Sequence, residues 1–179
     1  MAEVLVVERR RKYHWPEAQL NFWLIIMLAA AATTLGIFAF FITVQQQLRI
    51  GIPWLFPYQV AASSLAILFL ILILILISQR MLLPGIIILG SFILFVLWLT
   101  GLIETSIQLF GPTGSVNGNC QLYVTGQPFT GESINTLAWL EQNNICSCWK
   151  AAFAFELIGT VFLLWMGIMA WQVNRDEYD

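Results

Sequence analysis

The chain is 179 residues long, 59% hydrophobic and only 10% charged, with a formal net charge of −2 at pH 7. A soluble domain of this size carries about a quarter of its residues as charges, so an ordinary water-soluble globule is excluded and most of the surface has to face lipid. The small net charge says nothing about partners, and no nucleic-acid partner is expected.

Residues 1–21 form a polar N-terminal segment whose cluster Arg9, Arg10, Arg11 and Lys12 sits just ahead of the first apolar run. No cleavable leader is expected. The apolar piece of MAEVLVVERRRK precedes its basic cluster, the reverse of the secretory order, and is too short. Juxtamembrane cations of this kind set topology, and each adds about 1 kcal/mol of attraction to an anionic leaflet. Arg9 to Lys12 are therefore candidate anionic-lipid contacts.

Crossing the hydrocarbon core takes about 20 consecutive apolar residues in a helix. Four stretches qualify, at about 22–44, 58–77, 81–103 and 149–173. The expected fold is therefore all-α, a four-helix transmembrane bundle over residues 22–173, followed by a short acidic tail at 174–179. Spans two and three are joined by the short turn Ser78-Gln79-Arg80 and form a tight antiparallel hairpin. Lys and Arg mark the cytoplasmic side of a membrane protein. Six of them (Arg9, Arg10, Arg11, Lys12, Arg80, Arg175) fall on one side and two (Arg49, Lys150) on the other, which puts both termini in the cytoplasm.

Two loops then face away from the cytoplasm. The first, QQQLRIGIPWLFP, is rich in proline and aromatics, and Trp54 and Phe56 are expected at headgroup level. The second, at 105–147, is the one segment large enough to fold outside the bilayer. It opens on the turn-rich GPTGSVNGN and closes with a stretch in which Ser133 caps a short helix, so that a small lid rests on the helix ends. All three cysteines, Cys120, Cys146 and Cys148, lie in or beside this loop. On an oxidising side a disulfide follows. Cys146 and Cys148 are too close in sequence to pair well. Cys120 therefore pairs with one of them: Cys146 is favoured because Cys148 stands at the start of span four, and Cys148 is the alternative partner. Three thiols without a nearby histidine do not make a metal site.

Glu156 stands inside span four, about 10 Å along the helix at 1.5 Å per residue. An ionised carboxylate facing lipid costs several kcal/mol, so such groups turn inward and find partners. Within the bundle the candidates are Thr33, Thr34, Ser63, Ser64 and Ser91, and the alternatives are a proton or ion relay and a contact with a cationic group of another membrane protein. Small residues in span one (Ala29, Ala32, Thr33, Gly36) and span four (Ala151, Ala152, Ala154, Gly159) point to close packing of these two helices with Glu156 at their seam. No Walker loop, HExxH, GxSxG or paired-carboxylate constellation is present, so no catalytic residue, metal or cofactor is expected.

The segment NTLAWLEQNNICSCWKAAFAFELIGTVFLLWMGIMAWQV resembles the last part of fungal MARVEL-like tetraspan proteins, with a cysteine before the last span and an Ala/Phe-rich start to that helix. The resemblance is clearest over this last quarter, and elsewhere rests on topology. It implies a membrane-organising protein of the plasma membrane or secretory pathway, without catalysis, and an outer-loop bridge at Cys120 and Cys146. Cys148 departs from a simple two-cysteine pattern. The expected partners are the lipid bilayer and another membrane protein or a second copy. The competing expectation is an accessory subunit of a larger pump, transporter or polysaccharide synthase.

Overall fold

A computed structural model describes residues 15, 17–79, 84–112, 114–125 and 134–175. The basic cluster Arg9 to Lys12, Arg80, Ser133 and the acidic tail lie outside the described residues. The element order is α1 (Glu17–Gln47), α2 (Leu55–Ser78), α3 (Pro84–Phe110), α4 (Val116–Cys120), a π-helical turn (Gln121–Thr125) and α5 (Ile134–Arg175). Among the described residues there is no strand. Helices α1, α2, α3 and α5 are each long and apolar enough to cross a membrane, and the chain is an integral membrane protein with four spans.

The spans close into a square. Helix α1 packs on α2 and α5, and α3 packs on α2 and α5, while the diagonal pairs have no Cα atoms within 8 Å of each other. The most extensive contact is between α3 and α5. The small-residue argument, which paired spans one and four, therefore misses the main neighbour of α5. On α1 the buried residues include Trp23, Met27, Ala30, Ala31, Thr34 and Phe38, while Ala29, Ala32 and Gly36 face outward.

Each span buries one seam with heptad spacing. On α3 it runs Pro84, Ile87, Ser91, Leu94, Trp98, Gly101, Thr105. On α5 it runs Trp149, Ala152, Glu156, Gly159, Leu163, Met166, Ala170. A seven-residue repeat keeps a seam facing its neighbours as helices supercoil, the usual geometry of a four-helix bundle. The other faces carry exposed Leu, Ile and Phe such as Leu68, Leu89 and Phe92, which suits lipid.

The turns have local causes. Helix α1 closes with Ile50 N–H on Gln45 O and Arg49 N–H on Gln46 O, both at 3.1 Å, and Arg49 takes φ 54° at the position where glycine is usual. Helix α3 stops where Gly111 and Pro112 follow Phe110, since proline does not continue a helix. Ser115 caps α4, its Oγ accepting from Gly118 N–H at 3.2 Å.

Two expectations for the loops are corrected. Phe56 does not rest among headgroups; it is buried against Phe38, Phe41 and Trp149, leaving Trp54 as the exposed aromatic. The expected short helix before span four is not a separate element either, because α5 runs without a break for 42 residues. At 1.5 Å per residue that is about 63 Å, roughly twice the hydrocarbon thickness, so its first turns stand clear of the core.

Candidate functional site: a buried polar layer beneath a disulfide cap

The chain stacks its chemistry in layers down α5. At one end, Cys120 and Cys146 are joined with their Cα atoms 5.9 Å apart. Two turns before Cys146, Trp139 Nε1 donates to Val124 O at 2.9 Å. The 120–125 segment is thus held to α5 at two points, and Val124 and Cys120 are buried beneath it. Cys148 is a free, half-buried thiol whose Sγ donates to Asn144 Oδ1 at 3.7 Å. Two residues on from Cys146, it points around the helix from the bridge, which explains why it is not the partner.

Beneath the bridge lies an aromatic layer. Trp149 stacks on Phe41 with centroids 5.2 Å apart and meets Phe38 and Phe56 at tilted or edge-on angles. Leu55, Leu109 and Ala152 complete this cluster.

The polar layer comes next, and every span contributes to it. Thr34 of α1, Gln59 and Ser63 of α2, Thr105 of α3 and Glu156 of α5 are each at most 1% exposed. Glu156 Oε1 accepts from Gln59 Nε2 at 2.5 Å and from Thr105 Oγ1 at 3.2 Å. Thr160 Oγ1 donates back to the Glu156 carbonyl at 2.7 Å. Three further oxygens, Glu156 Oε2, Thr34 Oγ1 and Ser63 Oγ, are buried without a hydrogen-bond partner among the described residues. A carboxyl so placed cannot touch a neighbouring protein, because its whole side chain lies inside the bundle.

Gln59 and Thr105 were not among the expected partners of Glu156. Of those that were, Ser64 and Ser91 bond their own helices, Ser64 Oγ to Val60 O at 2.7 Å and Ser91 Oγ to Ile88 O at 3.1 Å. Thr34 and Ser63 are buried but not bonded to the carboxyl. Gln59 reaches Glu156 because Gly101 stands where a Cβ would collide with the Gln59 amide. One turn further, Gly159 leaves room for the Trp98 ring in the same way. Below this, Leu70, Ile73, Ile87, Leu94, Leu163 and Met166 form a continuous aliphatic core. Trp23 Nε1 crosses it to donate to Phe162 O at 2.7 Å, tying α1 to α5.

Glu104, at the loop end of α3, takes a bond from Gln108 Nε2 at 3.4 Å and remains on the surface. Among the described residues no group of three His, Cys, Asp or Glu could hold a metal ion. No protein-family model, no curated protein and no solved structure matches the chain.

Proposed function

We propose that this four-span protein organises its membrane neighbours, lipid and protein, without catalysing a reaction, as its likeness to fungal MARVEL-like tetraspans implies. The observation that supports this most is the position of the polar layer. Its carboxyl is bonded inside the bundle, with the aromatic cluster of Phe38, Phe41, Phe56 and Trp149 on one side and the aliphatic core on the other. Transport along the bundle axis needs a run of polar sites, and here both approaches to Glu156 are packed with large apolar side chains. What the spans offer their surroundings is apolar faces, suited to lipid and to other helices.

The orientation belongs to the same proposal. The six-to-two bias of Lys and Arg puts both termini in the cytoplasm. The Cys120–Cys146 bridge lies at the other end of the bundle, which suits an oxidising, extracytoplasmic compartment. A protein of the plasma membrane or secretory pathway meets both conditions.

The runner-up, an accessory subunit of a larger membrane complex, draws on a different surface. Leu122, Tyr123 and Leu140 are exposed around the disulfide cap, where α5 stands clear of the bilayer. Extraction of the native protein in mild detergent, with quantitative mass spectrometry of what co-purifies, decides between them. Recovery as the chain alone or self-associated, with lipid, is expected. A single partner at fixed ratio would make the accessory reading the right one.

A further inference from the structure

Between α3 and α5, in the half of the bundle away from the disulfide, an open cleft of about 290 Å³ faces outward. Phe92 and Phe95 form one wall, Leu164 and Ile168 the other, Gly167 lies in the floor, and Trp171 stands at the end nearest the helix termini. The floor carries no free polar group: Ser91 is buried and its hydroxyl is spent on Ile88 O. A Cβ at Gly167 would first meet Ser91 Oγ, at 3.4 Å, so the depth of the cleft at this point depends on glycine.

One turn beyond Trp171, the Arg175 guanidinium carbon lies 5.3 Å from the centre of the indole. Stacking on an aromatic face leaves the in-plane N–H donors of an arginine free, and these match the oxygens of a phosphate. The side chain is exposed. From Leu163 to Arg175 the cleft and its cation span about 18 Å along the helix, close to the depth of one leaflet's hydrocarbon. An apolar trough of that length with an oriented cation at its mouth is complementary to an amphiphile with an anionic head.

We infer that the α3–α5 cleft is a binding site for one anionic phospholipid, with an acyl chain along Gly167 and a headgroup of net negative charge on Arg175, where the cation of a choline head would oppose the guanidinium. This deepens the membrane-organising reading by naming the lipid class, and rests on it only in requiring that the spans lie in a bilayer.

The test uses the purified full-length chain in detergent, whatever partners it has in the cell, so its failure is separate from that of the organising reading. Phosphatidylserine and phosphatidylcholine with identical chains are titrated, and retained lipid is counted by native mass spectrometry alongside the thermal shift. Retention of one phosphatidylserine per chain about tenfold over phosphatidylcholine is expected, as for a charge-assisted contact. Arg175→Gln should abolish that preference. Leu164→Trp, which fills the cleft from an exposed position, should lower retention of both lipids, while Leu68→Trp on the lipid face of α2 should not. Equal retention of the two lipids by the parent, or an unchanged preference in Arg175→Gln, overturns the site. A thermal shift with glycerol phosphate equal to that with phosphatidylserine also overturns it, because the acyl chain would then play no part.

Discussion

Gln59 of α2 donates to Glu156 of α5 across a diagonal of the bundle, between two helices whose backbones nowhere come within 8 Å. With the contact between the Phe56 and Trp149 rings, it links two helices whose backbones do not pack on each other. Removing one partner of a buried pair leaves the other unsatisfied, which costs about 1–3 kcal/mol, and interhelical bonds in membranes lie at or below that range. Gln59→Ala should lower stability by about 1–2 kcal/mol, and Glu156→Leu, which strands both Gln59 and Thr105, by about 2–3 kcal/mol. Glu156→Gln keeps an acceptor for both donors and should cost under about 1 kcal/mol. A double-mutant cycle on residues 59 and 156 in detergent unfolding measures the coupling. Additive effects of the single changes would mean that the diagonal bond contributes nothing.

Glycines of α1, α3 and α5 make a sharper case, because three of them sit in different surroundings on the same type of helix. A methyl at Gly159 collides with the Trp98 ring, and one at Gly101 collides with the Gln59 amide, while Gly36 has nothing within 4 Å. Overpacking a fitted core costs about 1–3 kcal/mol, whereas Gly→Ala in an open helical position gains up to about 1 kcal/mol of propensity. Gly159→Ala and Gly101→Ala should lower the melting temperature, and Gly36→Ala should leave it unchanged or raise it. Gly101→Ala carries a second signature: since it displaces Gln59, it should make a further Gln59→Ala change nearly silent. If the two losses simply add, Gly101 does not act through Gln59.

The spans themselves were legible, and the faces they turn inward were not, for one physical reason. Core and lipid are equally apolar, so hydrophobicity marks where a helix crosses the membrane without marking which side is buried. Ile71 faces lipid and Ile73 faces the core, with nothing in their chemistry to separate them. The polar residues do separate the faces. Gln59, Ser63, Ser91, Thr105 and Glu156 all stand on the heptad seams, and tracing that spacing through them identifies the partners of Glu156. Small residues mislead when used alone, as Ala29, Ala32 and Gly36 did, because a small side chain is also tolerated against lipid. Geometry disfavours a Cys146–Cys148 bridge, and the place of Cys148 at the start of span four favours Cys146 as the partner of Cys120 while leaving Cys148 as the alternative. The unbroken course of α5 could not be read, since the polar run Glu141–Asn144 looks like the end of a helix and is an exposed stretch inside one.

The disulfide cap makes a countable prediction. With Cys120 bonded to Cys146, one thiol should react with maleimide in the denatured, unreduced chain, and all three after reduction. Closing a loop of 26 residues is worth about 3 kcal/mol on the chain-entropy account. Cys120→Ser should therefore expose the 120–125 segment to protease while the four spans still insert. Three reactive thiols without reductant would remove the bridge. The same reagent in its membrane-impermeant form reports orientation: a thiol engineered at exposed Leu122 should label from outside intact cells, and a tag at either terminus should not be reachable there.

The end of α1 carries a local conflict that a substitution can relieve. Arg49 occupies the left-handed region, φ 54°, in a helix closure usually made by glycine. An L-residue there costs roughly 1–2 kcal/mol, from Cβ against the following carbonyl. Glycine removes this and loses part of the gain to its extra freedom in the unfolded chain. Arg49 is also one of only two cations assigned to its side of the membrane, so the reference for the backbone effect is Arg49→Gln. Against that reference Arg49→Gly should be more stable by about 0.5–1 kcal/mol, and Arg49→Val less stable by at least as much, since a β-branched side chain tolerates this region worst. Thermal unfolding of the three variants in one detergent gives the order directly. If valine matches or exceeds glycine, the closure at Gln45 and Gln46 is not what ends this helix, and the turn into α2 has to be attributed to Pro53 and Pro57 instead.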